Sequence, residues 1–366
     1  MVAKMLYFVV NHLPMHIRSF LPPALILVLA FSACSHHNDV TPPPVTPVGP
    51  NNADSTTATT AGTDSAYWKV IRTGSPQWTD IWFTDTLHGF ATSLDGYVYA
   101  SQDGGVNWSR SVRLDSVGGT VPALALTFLN ANVGYAVGVG HFAVTANGGQ
   151  NWTVKMRPDQ ITNSQQLSTG WPNLQFLSAP TGYLATGVAL YRTDDSGTNW
   201  TPVEKDSVVA LHFTNSNSGY SFAKPNKISR TSDGGANWTA IGTVPTTTSG
   251  GFAVLQFSND QNGWFLDLFH LSITTNGGVG WKGVFQSKTD ILEDLQLLTG
   301  QTAYMASTAR LFKTTDGGIT WQREYTHPPF AASGGTTSTG FIAIYFTDDH
   351  HGWACANDGT ILRYSH

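Results

Sequence analysis

From residue 67 onward the apolar positions recur in a fixed phrase: an apolar residue, a glycine or alanine six positions later, and an aromatic directly after it. The seven instances are Phe83/Gly89/Phe90, Phe128/Gly134/Tyr135, Phe176/Gly182/Tyr183, Phe213/Gly219/Tyr220, Phe257/Gly263/Trp264, Leu297/Ala303/Tyr304 and Phe346/Gly352/Trp353. Polar turn residues such as Thr84-Asp85-Thr86 and Asn215-Ser216-Asn217 lie inside each phrase, so each reads as strand, turn, strand. No stretch sustains a long 3.6-residue apolar period, so no long amphipathic helix is predicted.

A second pattern runs in phase with the first. The octapeptide S/T-x-D/N-x-G-x-x-W occurs six times, as SQDGGVNW, TANGGQNW, TDDSGTNW, TSDGGANW, TTNGGVGW and TTDGGITW. Its acidic or amide positions are Asp103, Asn147, Asp195, Asp233, Asn276 and Asp316, and its closing tryptophans are Trp108, Trp152, Trp200, Trp238, Trp281 and Trp321. The Asp or Asn accepts backbone N–H groups in a tight turn, the Gly supplies backbone angles that other residues resist, and the Trp packs inward. The box is read as a folding device that joins two antiparallel strands, not as a site.

The glycine or alanine of the first pattern leads the box Asp or Asn by thirteen or fourteen residues, which leaves room for a second strand, a turn and a third strand. A four-stranded meander repeating every 37 to 49 residues is a propeller blade. Seven phrases against six boxes is resolved at the ends of the chain. The sequence stops at Asp358–His366, where a third strand finishes, and Tyr67–Arg72 matches the strand that follows each box tryptophan. The N-terminal strand is therefore expected to complete the last blade and close a ring of seven, removing two open edges. The predicted fold class is all-β, a single seven-bladed propeller over residues 67–366.

Composition agrees: the 366 residues are only 12% charged, with 37 glycines and 12 tryptophans, a balance of turn-rich β folds. The net charge of −5 becomes more negative without residues 1–34, which carry Lys4 and Arg18 and no acid, so nucleic acid is not expected as a partner. The two cysteines, Cys34 and Cys355, exclude a disulfide framework and a metal site built on cysteine pairs. Cys355 reads as a small buried strand residue.

The other cysteine belongs to an address. Leu21 to Ala33 is an apolar run preceded by Arg18 and ending in small residues before Cys34, the layout of a secretory signal and too short to span a bilayer comfortably. Ser32-Ala33-Cys34 resembles the lipobox of bacterial lipoproteins, with Phe31 in the usual aliphatic place, so lipidation is expected at Cys34. A start at Met15 would give a signal peptide of ordinary proportions. Residues 35–66 are rich in Pro, Thr, Ser, Ala and Asn and read as a tether, in which His36 and His37 lack the further ligands a metal needs. Residues 1–34 are thus signal, 35–66 tether, and the expected location is the cell envelope, lipid-anchored.

With these boxes and phrases, residues 67–366 resemble the Asp-box (bacterial neuraminidase repeat) superfamily, and most closely the seven-bladed propellers related to the photosystem II stability/assembly factor. The resemblance implies a non-catalytic scaffold for a membrane complex. Sialidases also carry Asp-boxes, but their Phe-Arg-Ile-Pro segment is absent here, and Glu204, Glu293 and Glu324 are read as lying in or beside links between strands, with no Tyr partner. The rival reading, a carbohydrate-active enzyme, calls for two carboxylates about 5 to 9.5 Å apart across the central cleft, whereas scattered acids favour the scaffold.

In a propeller the boxes and the phrase turns share one face, and the links between blades share the other, where binding is expected. The candidate binding residues on that link face are Arg113, Arg157, Trp171, Lys224, Lys227, His270 and His327, with Asp95 and Asp358 beside them. Trp171, next to Pro172, can stack on a sugar, anchor a protein, or simply pack at the start of an inner strand. Lys224 and Lys227 flank a turn that could hold an anion or be a solvated tip. Asp348-Asp349-His350-His351 points its side chains in different directions, so no metal is expected there, and no cofactor is expected anywhere. The partner is an unknown protein or glycan, the chain is expected to be monomeric, and no catalytic residue is assigned.

Overall fold

The computed structural model describes residues 66–114, 122–156, 172–245, 252–328 and 340–366. Among these residues the backbone forms twenty-eight strands in seven four-stranded antiparallel sheets. Six sheets are meanders in chain order, the first being Trp78–Phe83, Gly89–Ser93, Tyr97–Ser101 and Ser109–Arg113. The seventh draws on both ends of the ring: Trp68–Arg72 lies outside Ile361–Ser365, with Trp68 opposite Tyr364 and Val70 opposite Leu362. The inner strands of blades I to VII are Trp78–Phe83, Ala123–Phe128, Asn173–Phe176, Val208–Phe213, Val254–Phe257, Leu292–Leu297 and Phe341–Phe346, each beside the inner strands of its two neighbours. This is the closed seven-bladed propeller that the repeats predict.

The recurring phrase has a steric cause. A Cβ built on Gly134 would stand 2.3 Å from the Phe128 ring, and Gly89, Gly182, Gly219, Gly263 and Gly352 are covered by the phenylalanine of their own blade in the same way. Blade VI has Leu297 in place of the ring, and there alone the second position is alanine, Ala303. The aromatic after the glycine serves the next blade: Tyr135 stacks on Phe176 at 3.4 Å, Tyr220 on Phe257 at 3.6 Å and Tyr304 on Phe346 at 3.9 Å. Trp353 of blade VII closes the circle on Phe83 of blade I at 3.6 Å and 7°. Such pairs add about 0.5–1.5 kcal/mol each beyond the area they bury, and all of them cross a blade boundary.

Each box is a hydrogen-bonded hairpin turn. In the first, Asp103 accepts the Asn107 N–H at 2.8 Å, Ser101 Oγ accepts the Gly105 N–H at 2.9 Å, and Trp108 Nε1 donates to Gly105 O at 2.7 Å. Gly104 and Gly105 sit at φ +74° and +93°, the left-handed region where a side chain is strained. The backbone N–H and side-chain amide of Asn199 and of Asn237 hold the carboxyls of Asp195 and Asp233 down at about 2. Five box tryptophans meet the phrase phenylalanine of their own blade edge-on, as Trp108 does Phe83 at 6.0 Å, while Trp321 of blade VI, where Leu297 replaces the ring, is edge-on to Trp264 of blade V at 5.9 Å. Blade VII has no box, and Trp68 from the N-terminal strand takes that place, edge-on to Phe346 at 5.7 Å and fully buried.

Candidate binding channel and link face

An inner strand has a hydrogen-bonded neighbour on one side only, so its other edge presents unpaired backbone groups toward the ring axis. Side chains from the preceding blade satisfy many of them. Gln175 Oε1 accepts the Phe213 N–H at 2.8 Å, Gln256 Oε1 accepts the Leu297 N–H at 2.8 Å, and Gln296 Oε1 accepts the Phe346 N–H at 2.6 Å. His212 Nδ1 takes the same role toward the Phe257 N–H at 3.2 Å. Asp80 reaches the Leu126 N–H and Asp294 the Ile344 N–H, both at 2.9 Å, while their second oxygens accept the N–H of Ile81 and Leu295. These residues latch blade to blade, and none was singled out from sequence; an Asp, Gln or His on an otherwise apolar inner strand is the signal that marks them.

Inside the latches runs a central cavity of about 480 Å³, lined by residues of all seven blades. Asp80, Glu293 and Asp294 line it, and no lysine or arginine does among the described residues. Burial pushes the carboxyl of Asp80 up to about 7, against the opposing pull of the Leu126 N–H and helped by the charge of Asp294. Burial likewise raises Asp294 to about 7 against the N–H groups of Ile344 and Leu295, and raises Glu293, with the Asp294 charge, to about 8. His212 is held down to about 4 by burial, so its imidazole is neutral at ordinary pH. Glu293 corrects the sequence reading: it belongs to the inner strand Leu292–Leu297 and faces the cavity. Glu204 and Glu324 are on outer strands, in Thr201–Glu204 and Gln322–Thr326.

On the link face the structure places the candidates apart. Arg113 ends the outer strand of blade I, its guanidinium 5.5 Å from the Tyr97 ring. Lys227 of blade IV is held by Glu204 of blade III at 2.6 Å and by Asp206, and Glu204 also accepts Ser221 and Ser229 hydroxyls, so this lysine bridges two blades. Lys224 precedes Pro225 across a cis bond and is half-buried, which lowers its pKa. His270 of blade V meets the buried carboxylate of Asp267 at 3.2 Å. Asp95 accepts the Tyr99 hydroxyl at 2.6 Å and faces Arg110. Arg157, Trp171 and Cys34 lie outside the described residues, as do residues 1–65 with the signal and tether. Cys355 is fully buried, as expected. His351 pairs with Asp348 at 2.9 Å, and among the described residues no group of three or more His, Cys, Asp or Glu could hold a metal.

His327 and Asp358 form an ion pair at 3.3 Å beneath the link face, both almost fully buried, with His327 Nδ1 also against Pro328 O at 2.9 Å. Burial disfavours the imidazolium, but Asp358 and the Pro328 carbonyl outweigh it and raise His327. Burial also works against the Asp358 carboxylate, yet His327 and the Thr360 N–H bring it down to about 2. The raised histidine stabilises fully below about 6.5 and loses this as pH rises through its folded value; the depressed aspartate stabilises above about 4 and loses it as pH falls toward 2. His327→Gln is therefore expected to lower Tm most between about pH 4 and 6.5 and by less at pH 9, where only the packing and the Pro328 contact are lost. Equal losses at pH 5 and pH 9 in thermal melts would contradict this.

Residues 60–212 match the family model described as Photosynthesis system II assembly factor YCF48. The chain is similar to the Photosystem II assembly lipoprotein Ycf48 of Synechococcus sp. (strain CC9902), 25% identical over 336 residues that span 87% of this chain and 93% of that protein. Among solved structures it resembles YCF48 bound to D1 peptide, with 22% identity, a TM-score of 0.61, and coverage of 83% of this chain and 98% of the other. It resembles virginiamycin B lyase from Staphylococcus aureus equally in shape, with a TM-score of 0.62, 14% identity, and coverage of 82% and 99%. A scaffold and an enzyme thus share the fold, and the fold alone does not choose between them. The repeats make this chain an Asp-box propeller, and it is similar in sequence to the photosystem II assembly factor Ycf48.

Proposed function

We propose that this chain is a non-catalytic scaffold of the cell envelope that holds a polypeptide segment of a membrane-complex subunit on the link face of its propeller. The observation that carries the reading is the end-to-end likeness to a protein named an assembly lipoprotein, which spans 93% of that protein. A solved structure of the same fold is YCF48 bound to D1 peptide, so a propeller of this build can bind a peptide. The glycosidase alternative needs two free carboxyls across the cleft. Here both oxygens of Asp80 and of Asp294 are engaged by backbone N–H groups, which leaves Glu293 as one free acid among the three that line the channel.

The test is cross-linking and affinity capture from detergent-extracted envelope, in parallel with chromogenic glycosides. A membrane-protein partner recovered at a fixed stoichiometry without glycoside turnover is the expected result, and turnover lost on mutation of a channel acid would overturn the reading.

Anchoring is part of the same proposal. Lipid on Cys34 and the tether of residues 35–66 would hold the propeller off a membrane surface, as a monomer. Cys34→Ser is expected to abolish incorporation of labelled fatty acid and to move the protein from the membrane to the soluble fraction. Retention of label by the variant would exclude Cys34 as the anchor.

A further inference from the structure

Five of the seven inner strands carry a β-bulge near the link-face end, where the register against the second strand slips: between Trp78 and Asp80, Ala123 and Ala125, Val208 and Ala210, Leu292 and Asp294, and Phe341 and Ala343. A bulge leaves one residue without a partner and re-aims its side chain. The five residues so freed, Thr79, Leu124, Val209, Glu293 and Ile342, all line the central channel. Three are aliphatic and Thr79 donates to Ala123 O at 2.7 Å. Glu293 is the exception, a carboxyl set in an apolar collar.

Glu293 is also the acid that the fold does not use. Asp80 and Asp294 spend both oxygens on backbone latches, but no hydrogen bond or ion pair reaches Glu293 among the described residues. It is partly exposed toward the channel, and desolvation there raises its carboxyl to about 8. A carboxyl desolvated in this way without a protein partner is costly unless something supplies one. The aliphatic side chains around it favour a ligand with an apolar stem. Asp80 and Asp294, not Glu293, hold the blade latches, and among the described residues no lysine or arginine lines the wall to meet its charge.

We propose that the link-face end of the central channel is a binding site for one primary alkylammonium group, with Glu293 as its counter-ion and Leu124, Val209 and Ile342 around its stem. The group could be the side chain of a lysine on a bound polypeptide or a free amine, and the chemistry at Glu293 is the same for both. The other titratable groups facing the site are Asp294 on the same strand, Asp80 of blade I, His212 of blade IV and Tyr345 of blade VII. The site stands independently of the scaffold reading: a chain that binds amines but captures no partner keeps the site and loses the scaffold.

The test is calorimetry on the full-length chain with n-hexylamine, Nα-acetyl-lysine N-methylamide and, as the neutral control, n-hexanol. Both amines stay cationic to pH 9, so the pH dependence reports the protein. Hexylamine is expected to bind at least about tenfold more tightly at pH 9 than at pH 6 and to release close to one proton per amine at pH 7, because Glu293 must ionise to receive it. Hexanol is expected to bind without that pH dependence. Glu293→Gln, with its fold checked by circular dichroism, should weaken the amine at least about tenfold and leave hexanol unchanged. Binding of the lysine derivative as well assigns the site to polypeptide lysines, and binding of hexylamine alone assigns it to free amines. No amine binding, or amine and alcohol binding alike in the wild-type chain, overturns the proposal without recourse to the variant.

Discussion

Replacing Trp68 with alanine is expected to destabilise the propeller by about 3–5 kcal/mol, the range for deleting a fully buried tryptophan. The effect is expected to be large because the indole is shared by three structures at once. It lies 5.7 Å from Phe346, 5.2 Å from Tyr364 and 6.4 Å from Tyr304, so it joins blades VI and VII and fixes the strand that closes the ring. Blade VII has no box of its own, and Trp68 is what stands in for the missing box tryptophan. The same substitution at Trp108 leaves a complete covalent meander behind, whereas loss of Trp68 loosens the pairing of Trp68–Arg72 with Ile361–Ser365 and exposes two strand edges. Denaturant titration should show a much lower midpoint for Trp68→Ala than for Trp108→Ala, and hydrogen exchange should be fastest in blade VII. Equal midpoints would mean that the closing strand contributes little to cohesion of the ring.

The second large effect is expected at Gly134. Alanine there would bring a methyl within 2.3 Å of the Phe128 ring, and that ring is fixed by stacking on Phe90 at 4.3 Å and by Trp152 edge-on at 6.1 Å. Overpacking of this kind costs about 1–3 kcal/mol. Blade VI shows the native solution, an aliphatic residue at the first position with alanine at the second. The double variant Phe128→Leu/Gly134→Ala is therefore expected to be more stable than the sum of its single changes by about 1 kcal/mol or more, a coupling between touching residues. A strictly additive cycle in chemical denaturation would show that the phrase glycine is not there to receive the ring.

The fold was legible because every blade solves the same local problem. A tight turn needs left-handed glycines and an acceptor for its N–H groups, and a ring laid on the backbone needs a missing side chain beneath it; both requirements act within about twenty residues and so recur along the chain. Even the closing strand could be read, since Tyr67–Arg72 has the form of the strand that follows a box. Cys355, buried in the second strand of blade VII, was legible for the same reason.

The channel was not legible, and the reason is geometric. Whether an inner-strand side chain turns to its own core, to the next blade or to the ring axis depends on where the bulge falls, and the bulge is a property of strand pairing rather than of the strand. Thus Asp80 and Asp294 became latches, His212 took a glutamine's place, and Glu293 was placed at a strand link until its register was known. Lys227 shows the same limit on the link face: its partners Glu204 and Asp206 precede it in sequence, but only the stacking of blade III on blade IV brings a buried carboxylate to its ammonium. The sequence by itself determined the blade, the number of blades and how the ring closes, because these follow from short-range backbone and packing constraints. The tertiary structure decided which charges meet and which one is left over, because a ring joins residues of different blades that the chain holds far apart.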